Sequence, residues 1–135
     1  MSSSVPAVGD VIVHKEFPPI TRHRLALYCG ASGDHNPIHV DIDFAKAAGF
    51  PDVFAHGMLV MGYLGQALTD AVAPSRIRSF STRFAAITQL GAQLTCEGMV
   101  TELIEQGGEQ RAKLALTTKD QHGEIKLAGE AIIAL

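Results

Sequence analysis

Apolar and polar positions follow two different rhythms along this chain, and the change falls between Val72 and Arg76. Before it the spacing is that of helices and loops; after it, that of strands. Val11 to Phe17 predicts a short opening strand, stopped by Pro18-Pro19, which cannot continue a ladder. Thr21 is placed to cap a helix that turns Leu25, Tyr28 and Cys29 to one face, with Gly30 and Gly33 at its end. Asp41 caps a second, shorter helix carrying Phe44, Ala45 and Ala48, closed by Gly49. A third helix is predicted from Gly57 to about Thr69. Its apolar residues (Met58, Leu59, Val60, Met61, Leu64 and Leu68) lie nearly all round, which is the pattern of a helix inside a protein. Gly62 and Gly65 let neighbouring backbone approach it, at up to about 1 kcal/mol each in helix propensity.

Four strands follow, over Ile77–Thr88, Gln93–Glu105, Gln110–Lys119 and Glu124–Ala134. Turn residues separate them at Leu90-Gly91, Gln106-Gly107-Gly108 and Asp120-Gln121-His122-Gly123. Ala112, Leu114 and Leu116 alternate with Arg111, Lys113 and Ala115, and the hairpin-like spacing favours antiparallel pairing. One apolar helix and one long antiparallel sheet bury each other if the sheet curls around the helix. The expected class is therefore α+β with the hot-dog arrangement, one domain over residues 1–135.

Composition narrows the function more than the fold. A hydrophobic content of 47% in 135 residues suffices for a core without disulfide staples. The net charge of −3, with scattered Lys and Arg, argues against nucleic acid as a partner. Cys29 and Cys96 show no C-x-x-C spacing, so reduced thiols in a cytoplasmic protein are expected. Met1-Ser-Ser-Ser-Val-Pro lacks the basic start and apolar run of a signal peptide. The most apolar stretch, Gly57–Leu68, is shorter than the roughly 20 residues a bilayer span needs, so no membrane is expected as a partner.

Chemistry concentrates in Gly33-Asp34-His35-Asn36-Pro37-Ile38-His39 and Phe54-Ala55-His56-Gly57-Met58. Pro37 stiffens the first segment and pushes Asn36 into an extended conformation, so Asp34 and His39 flank a turn and can face one small volume. A water between them would have an acceptor on one side and a proton exchanger on the other. Taken singly, each residue has a plainer explanation. Asp34 and Asn36 are ordinary turn formers. His39 alone fits a helix-flanking structural histidine, His35 a solvent-facing one, and His56 an anchor for its loop. Gly57 opens a helix whose first N–H groups lack internal partners, which makes its amide a candidate oxyanion donor, or a residue that merely relieves crowding.

Rival motifs fail on spacing. His35 and His39 stand i, i+4 like a zinc pair, but Pro37 breaks the helix that would align them. Asp34-x-Asn36 opens like a calcium loop, yet His39 stands where Gly is needed and Ala45 where Glu is needed. Gly30-Ala31-Ser32-Gly33-Asp34 is no nucleophile elbow, and no phosphate loop or dinucleotide fingerprint occurs.

Taken together, Asp34-His35-Asn36-Pro37-Ile38-His39 and His56-Gly57-Met58 resemble the signature of the MaoC-like family, which includes (R)-specific enoyl-CoA hydratases and (3R)-hydroxyacyl-ACP dehydratase subunits. Val8-Gly9-Asp10, Ala45, Phe50 and Ser81-x-x-Phe84 extend the likeness over nearly the whole chain. Ile87 departs from it where the family commonly has Pro, and Gly91-Ala92 where it has Gly-Asp. The resemblance implies Asp34 and His39 as catalytic dyad and the Gly57 N–H as oxyanion donor. Asn36 (ordering the loop), Met58, Met61, Gly65 and Phe84 are the expected substrate-side residues. It implies no metal or redox cofactor, an acyl-CoA or acyl-carrier-protein thioester as substrate, and a homodimer or higher oligomer, with a hetero-oligomer left open. Arg78, Arg83 and Lys126 are candidate CoA phosphate contacts, though a solvated strand face explains them equally. The competing chemistry is a hot-dog thioesterase, for which Asp70 and Glu97 are the available carboxylates.

Overall fold

A computed structural model describes residues 5–135; Met1–Ser4, part of the stretch read for a signal peptide, lie outside the described residues. Five strands form one antiparallel sheet: β1 (Val11–Glu16), β2 (Ile77–Phe84), β3 (Thr95–Gln106), β4 (Glu109–Lys119) and β5 (Ile125–Ala134). Their order is β1-β3-β4-β5-β2. Between β1 and β2 run α1 (Arg22–Ser32), a 3-10 turn (Pro37–His39), α2 (Ile42–Ala47), α3 (Gly57–Ala71) and a second 3-10 turn (Pro74–Arg76). This is the hot-dog arrangement, with α3 packed on the inner face of the sheet.

The capping signals act as their chemistry predicts. The Thr21 side chain accepts from Arg24 N at the start of α1, and Asp41 accepts from Asp43 N and Phe44 N at the start of α2. Gly33 ends α1 in the left-handed region at φ 77°, whereas Gly30 stays inside the helix. The tight connection between β3 and β4 uses Gly107 and Gly108, both at positive φ.

One expectation is corrected. The apolar belt of α3 predicted burial on all sides, but the buried residues are Leu59, Val60, Tyr63, Leu64, Ala67 and Leu68, a single face. Met58 is 57% exposed, and Gly62 and Gln66 are open as well. A five-stranded sheet reaches round only one side of a helix, so the other side needs a different cover. Toward β2 the helix is kept bare for aromatic rings. A Cβ on Gly57 would lie 3.0 Å from the Phe84 ring, and one on Gly65 would lie 3.7 Å from the Phe80 ring. Eight helical residues rise about 12 Å, and four strand residues about 13 Å, so two glycines and two phenylalanines stay in step.

The sheet also has one point of near-contact between backbones. A Cβ on Gly129, paired with Thr82 across β2–β5, would lie 2.1 Å from the Ser81 carbonyl oxygen. Gly129→Ala therefore forces these strands apart and is expected to cost about 2–3 kcal/mol or more in urea unfolding. Gly30→Ala, in an open part of α1 with nothing within 4 Å of a new Cβ, should instead gain up to about 1 kcal/mol. Equal effects of the two substitutions would contradict this packing.

Candidate active site

The loop after α1 is built from side chains that bond the backbone two residues away. Asp34 N donates to Ser32 Oγ at 3.1 Å, Asn36 N to Asp34 Oδ1 at 3.2 Å, and Ile38 N to Asn36 Oδ1 at 3.1 Å. Asn36 thus caps the 3-10 turn that carries His39 inward. The plainer explanation of Asp34 and Asn36 as turn formers is correct as far as it goes. It uses only Oδ1 of Asp34.

His39 is 8% exposed, and its Nδ1–H donates to the Phe54 carbonyl at 2.8 Å. That bond assigns the proton to Nδ1 in the neutral ring and leaves the lone pair on Nε2. His56 is 1% exposed and stacks on His39, ring centroids 3.9 Å apart and planes 25° apart. Its Nε2–H donates to the Asp34 carbonyl at 3.3 Å, with Cys29 Sγ at 3.4 Å, while its Nδ1 is buried without a partner. Burial holds the His56 pKa below its ordinary value, and the neighbouring His39 adds to the effect. A side-chain atom each of Asp34, His39 and His56 lies within 4.8 Å of the other two.

Such a trio is also a conceivable cation site, but the ring geometry fits one poorly. A metal about 2 Å from each nitrogen must lie near both imidazole planes, and stacked rings only 25° apart do not meet within that reach.

Beside this cluster is a cavity of about 340 Å³ walled by Phe54, Gly57, Val60, Phe84, Ile87 and Leu127, among others. Its wall is mainly apolar, and Gly57 stands in it at the first position of α3. Leu59 N and Val60 N both donate to the His56 carbonyl; the Gly57 N–H has no backbone acceptor among the described residues. Of the residues expected on the substrate side, Phe84 walls the cavity. Asn36 orders the loop, and Met58, Met61 and Gly65 lie elsewhere on α3. Sequence reasoning gave no substrate-side role to Phe54, which lies in the segment it singled out, or to Ile87, which it noted as a departure from the family pattern; nothing in the spacing of Leu127 sets it apart from core.

The remaining candidates are accounted for by other contacts. Asp70 pairs with Lys15 at 2.8 Å, and Glu97 lies between His14 and Lys119, both at 3.3 Å; neither carboxylate reaches the cavity. Arg78 is held by Glu109, and Arg83 is exposed on β2. Lys126 is corrected outright: it is 1% exposed and occupied by internal partners, so it is no surface phosphate contact.

Fold and site together define a hot-dog protein in which Asp34, His39 and His56 cluster next to the Gly57 end of an apolar cavity. The family profile described as "MaoC like domain" matches residues 4–122, and the chain belongs to that family. It is 32% identical over 116 residues to an (R)-specific enoyl-CoA hydratase of Rhodospirillum rubrum, covering 84% of this chain and 78% of that protein. It is 36% identical over 80 residues to the peroxisomal enoyl-CoA hydratase 2 of Arabidopsis thaliana, over 57% of this chain but only 26% of that longer protein. Among solved structures, an unliganded (R)-hydratase from Pseudomonas aeruginosa superposes with a TM-score of 0.79 at 29% identity, covering 96% of this chain and 82% of the other.

The buried, neutral His56 gives a pH prediction. Its folded-state pKa lies below the ordinary 6.5, so the unfolded chain takes up this proton first. Stability is lost as pH falls from about 6.5 toward the lowered folded value. His56→Gln removes that contribution. The wild-type Tm should therefore drop a few degrees more than the variant's between about pH 7 and pH 5. Parallel Tm curves would show that His56 is not held neutral by burial.

Proposed function

We propose that residues 1–135 are one MaoC-like domain that reversibly adds water to trans-2-enoyl thioesters, forming (R)-3-hydroxyacyl thioesters. The observation that carries this reading is the convergence of Asp34 and His39 beside an apolar cavity walled by the first residue of a helix. The (R) configuration is taken from the relatives' specificity.

The thioester carbonyl accepts a hydrogen bond from the Gly57 N–H at the positive end of α3. Electron density is drawn from the conjugated double bond, and C3 becomes electrophilic. Water sits between the free Asp34 oxygen and His39 Nε2. The dyad removes its proton as the oxygen bonds to C3; the π electrons pass to C2 and the carbonyl, and the dyad returns a proton to C2. Dehydration is the same path reversed. The enolate-like charge forms at the Gly57 amide, where a fixed donor of this kind is typically worth about 3–4 kcal/mol. The acyl tail lies in the cavity against Phe84, Ile87 and Leu127, and the CoA or carrier-protein arm extends to solvent.

The same reading has the chain working as an oligomer in a reducing, cytoplasmic setting. β2 is an edge strand, paired only with β5, and the far side of α3 is open, so a second copy has both a strand edge and a helix face to cover. Cys29 and Cys96 are buried and free, and no described helix is long and apolar enough to cross a membrane.

Asp34→Asn and His39→Ala should each lower kcat for crotonyl-CoA hydration by about 10²–10⁴, with an unchanged circular dichroism spectrum. Loss of enoyl absorbance must occur without release of free thiol, since hydration leaves the thioester intact. Near wild-type turnover by either variant, or CoA thiol appearing with the product, would overturn the assignment.

A further inference from the structure

Lys126 is a fully buried lysine that the proposed reaction does not use. It stands on β5 next to Leu127, which walls the cavity. Its Nζ donates to the Ile87 carbonyl at 2.8 Å and to Gln89 Oε1 at 2.9 Å, and it is bonded to Glu124 as well. Its own carbonyl accepts from Ala85 N at 2.9 Å. Both ends of the segment from Ala85 to Gln89, which supplies one wall of the cavity, are therefore tied to one residue. Asp120, also buried, lies 3.6 Å from Nζ and completes the arrangement. It accepts from Gln89 Nε2, His122 N and Glu124 N. Burial opposes its charge, but these donors and Lys126 outweigh it and keep the carboxyl below its ordinary pKa.

Beyond its first two residues the segment leaves the ladder. β2 was expected to run to Thr88 but its regular pairing stops at Phe84, with Ala85 N and Ala86 N both turned to the Lys126 carbonyl of β5. On its other side the segment holds the stretch whose Phe54 carbonyl anchors His39: Ala55 N donates to the Thr88 carbonyl at 2.8 Å, and Phe54 bridges to Gln89. A lysine in this position is costly to bury unless its partners are complete, and here they are.

We propose that Lys126 is a specificity-determining positioning residue, whose hold on the Ala85–Gln89 wall sets the depth of the acyl cavity and hence the preferred acyl length. This rests on the hydratase reading above. Without the hold, the wall moves away from Leu127, and longer chains enter that the native cavity excludes.

The test compares the wild type with Lys126→Met and with Lys126→Met/Asp120→Asn, in which no buried carboxylate is left facing an apolar side chain. Trans-2-enoyl-CoAs from crotonyl to dodecenoyl are assayed. The ratio of kcat/KM for long over short chains should rise about tenfold or more, mainly through a lower KM for the long chains. A chain-length profile parallel to wild type in the folded double variant overturns the proposal. Amide hydrogen exchange reads the same hold without any substrate. The Ala55 amide, held by the Thr88 carbonyl, should lose protection while the β3–β4 amides keep theirs. Unchanged exchange at Ala55, or a uniform loss across the chain, overturns it too. A wild type inert on every enoyl-CoA sinks the hydratase reading instead, and with it the acyl-length role, while the exchange result still decides whether Lys126 holds the wall.

Discussion

Four consecutive residues, Phe54 to Gly57, carry the constraint on which the site depends. The Phe54 carbonyl takes the His39 Nδ1–H, the Ala55 N–H goes to Thr88, the His56 ring lies under His39 and bonds the Asp34 carbonyl, and Gly57 starts α3. Acid–base cluster and cavity are thus positioned by one stretch of backbone. Neither can shift without the other.

Burial of His56 is what makes that stretch rigid. An imidazole with one ring nitrogen unpartnered is an expensive thing to enclose, and it is tolerated because the ring is neutral and stacked. Its contribution is mechanical. It fixes the height of the Asp34 backbone and the tilt of the His39 ring. The glycines of α3 play the complementary part. By admitting Phe80 and Phe84 against the bare helix they bring the end of β2 to the cavity, where the strand gives way to the segment governed by Lys126.

Much of this was legible in one dimension. Thr21, Asp41 and Gly33 mark helix ends because their side chains, or the lack of one, act on backbone groups two or three residues away. The alternation of Ala112, Leu114 and Leu116 identifies a strand because its period is a property of the strand itself. The pairing of Asp34 with His39 was legible for the same reason, since five residues with a proline between them constrain each other without help from the rest of the chain. Lys126 was misread because charge and a strand position suggest solvent, and its partners, Ile87 and Gln89, are more than thirty residues away in sequence.

What the chain determined alone, then, was local: the elements, the caps, the α+β class with its helix against a curled sheet, and the turn that brings Asp34 near His39. Tertiary structure decided which face of α3 is covered, that β2 ends at Phe84, which of three histidines near the site share it, and where the cavity lies. Those outcomes depend on contacts between residues far apart in the chain, and the cost of burying a polar group is set only once every neighbour is in place.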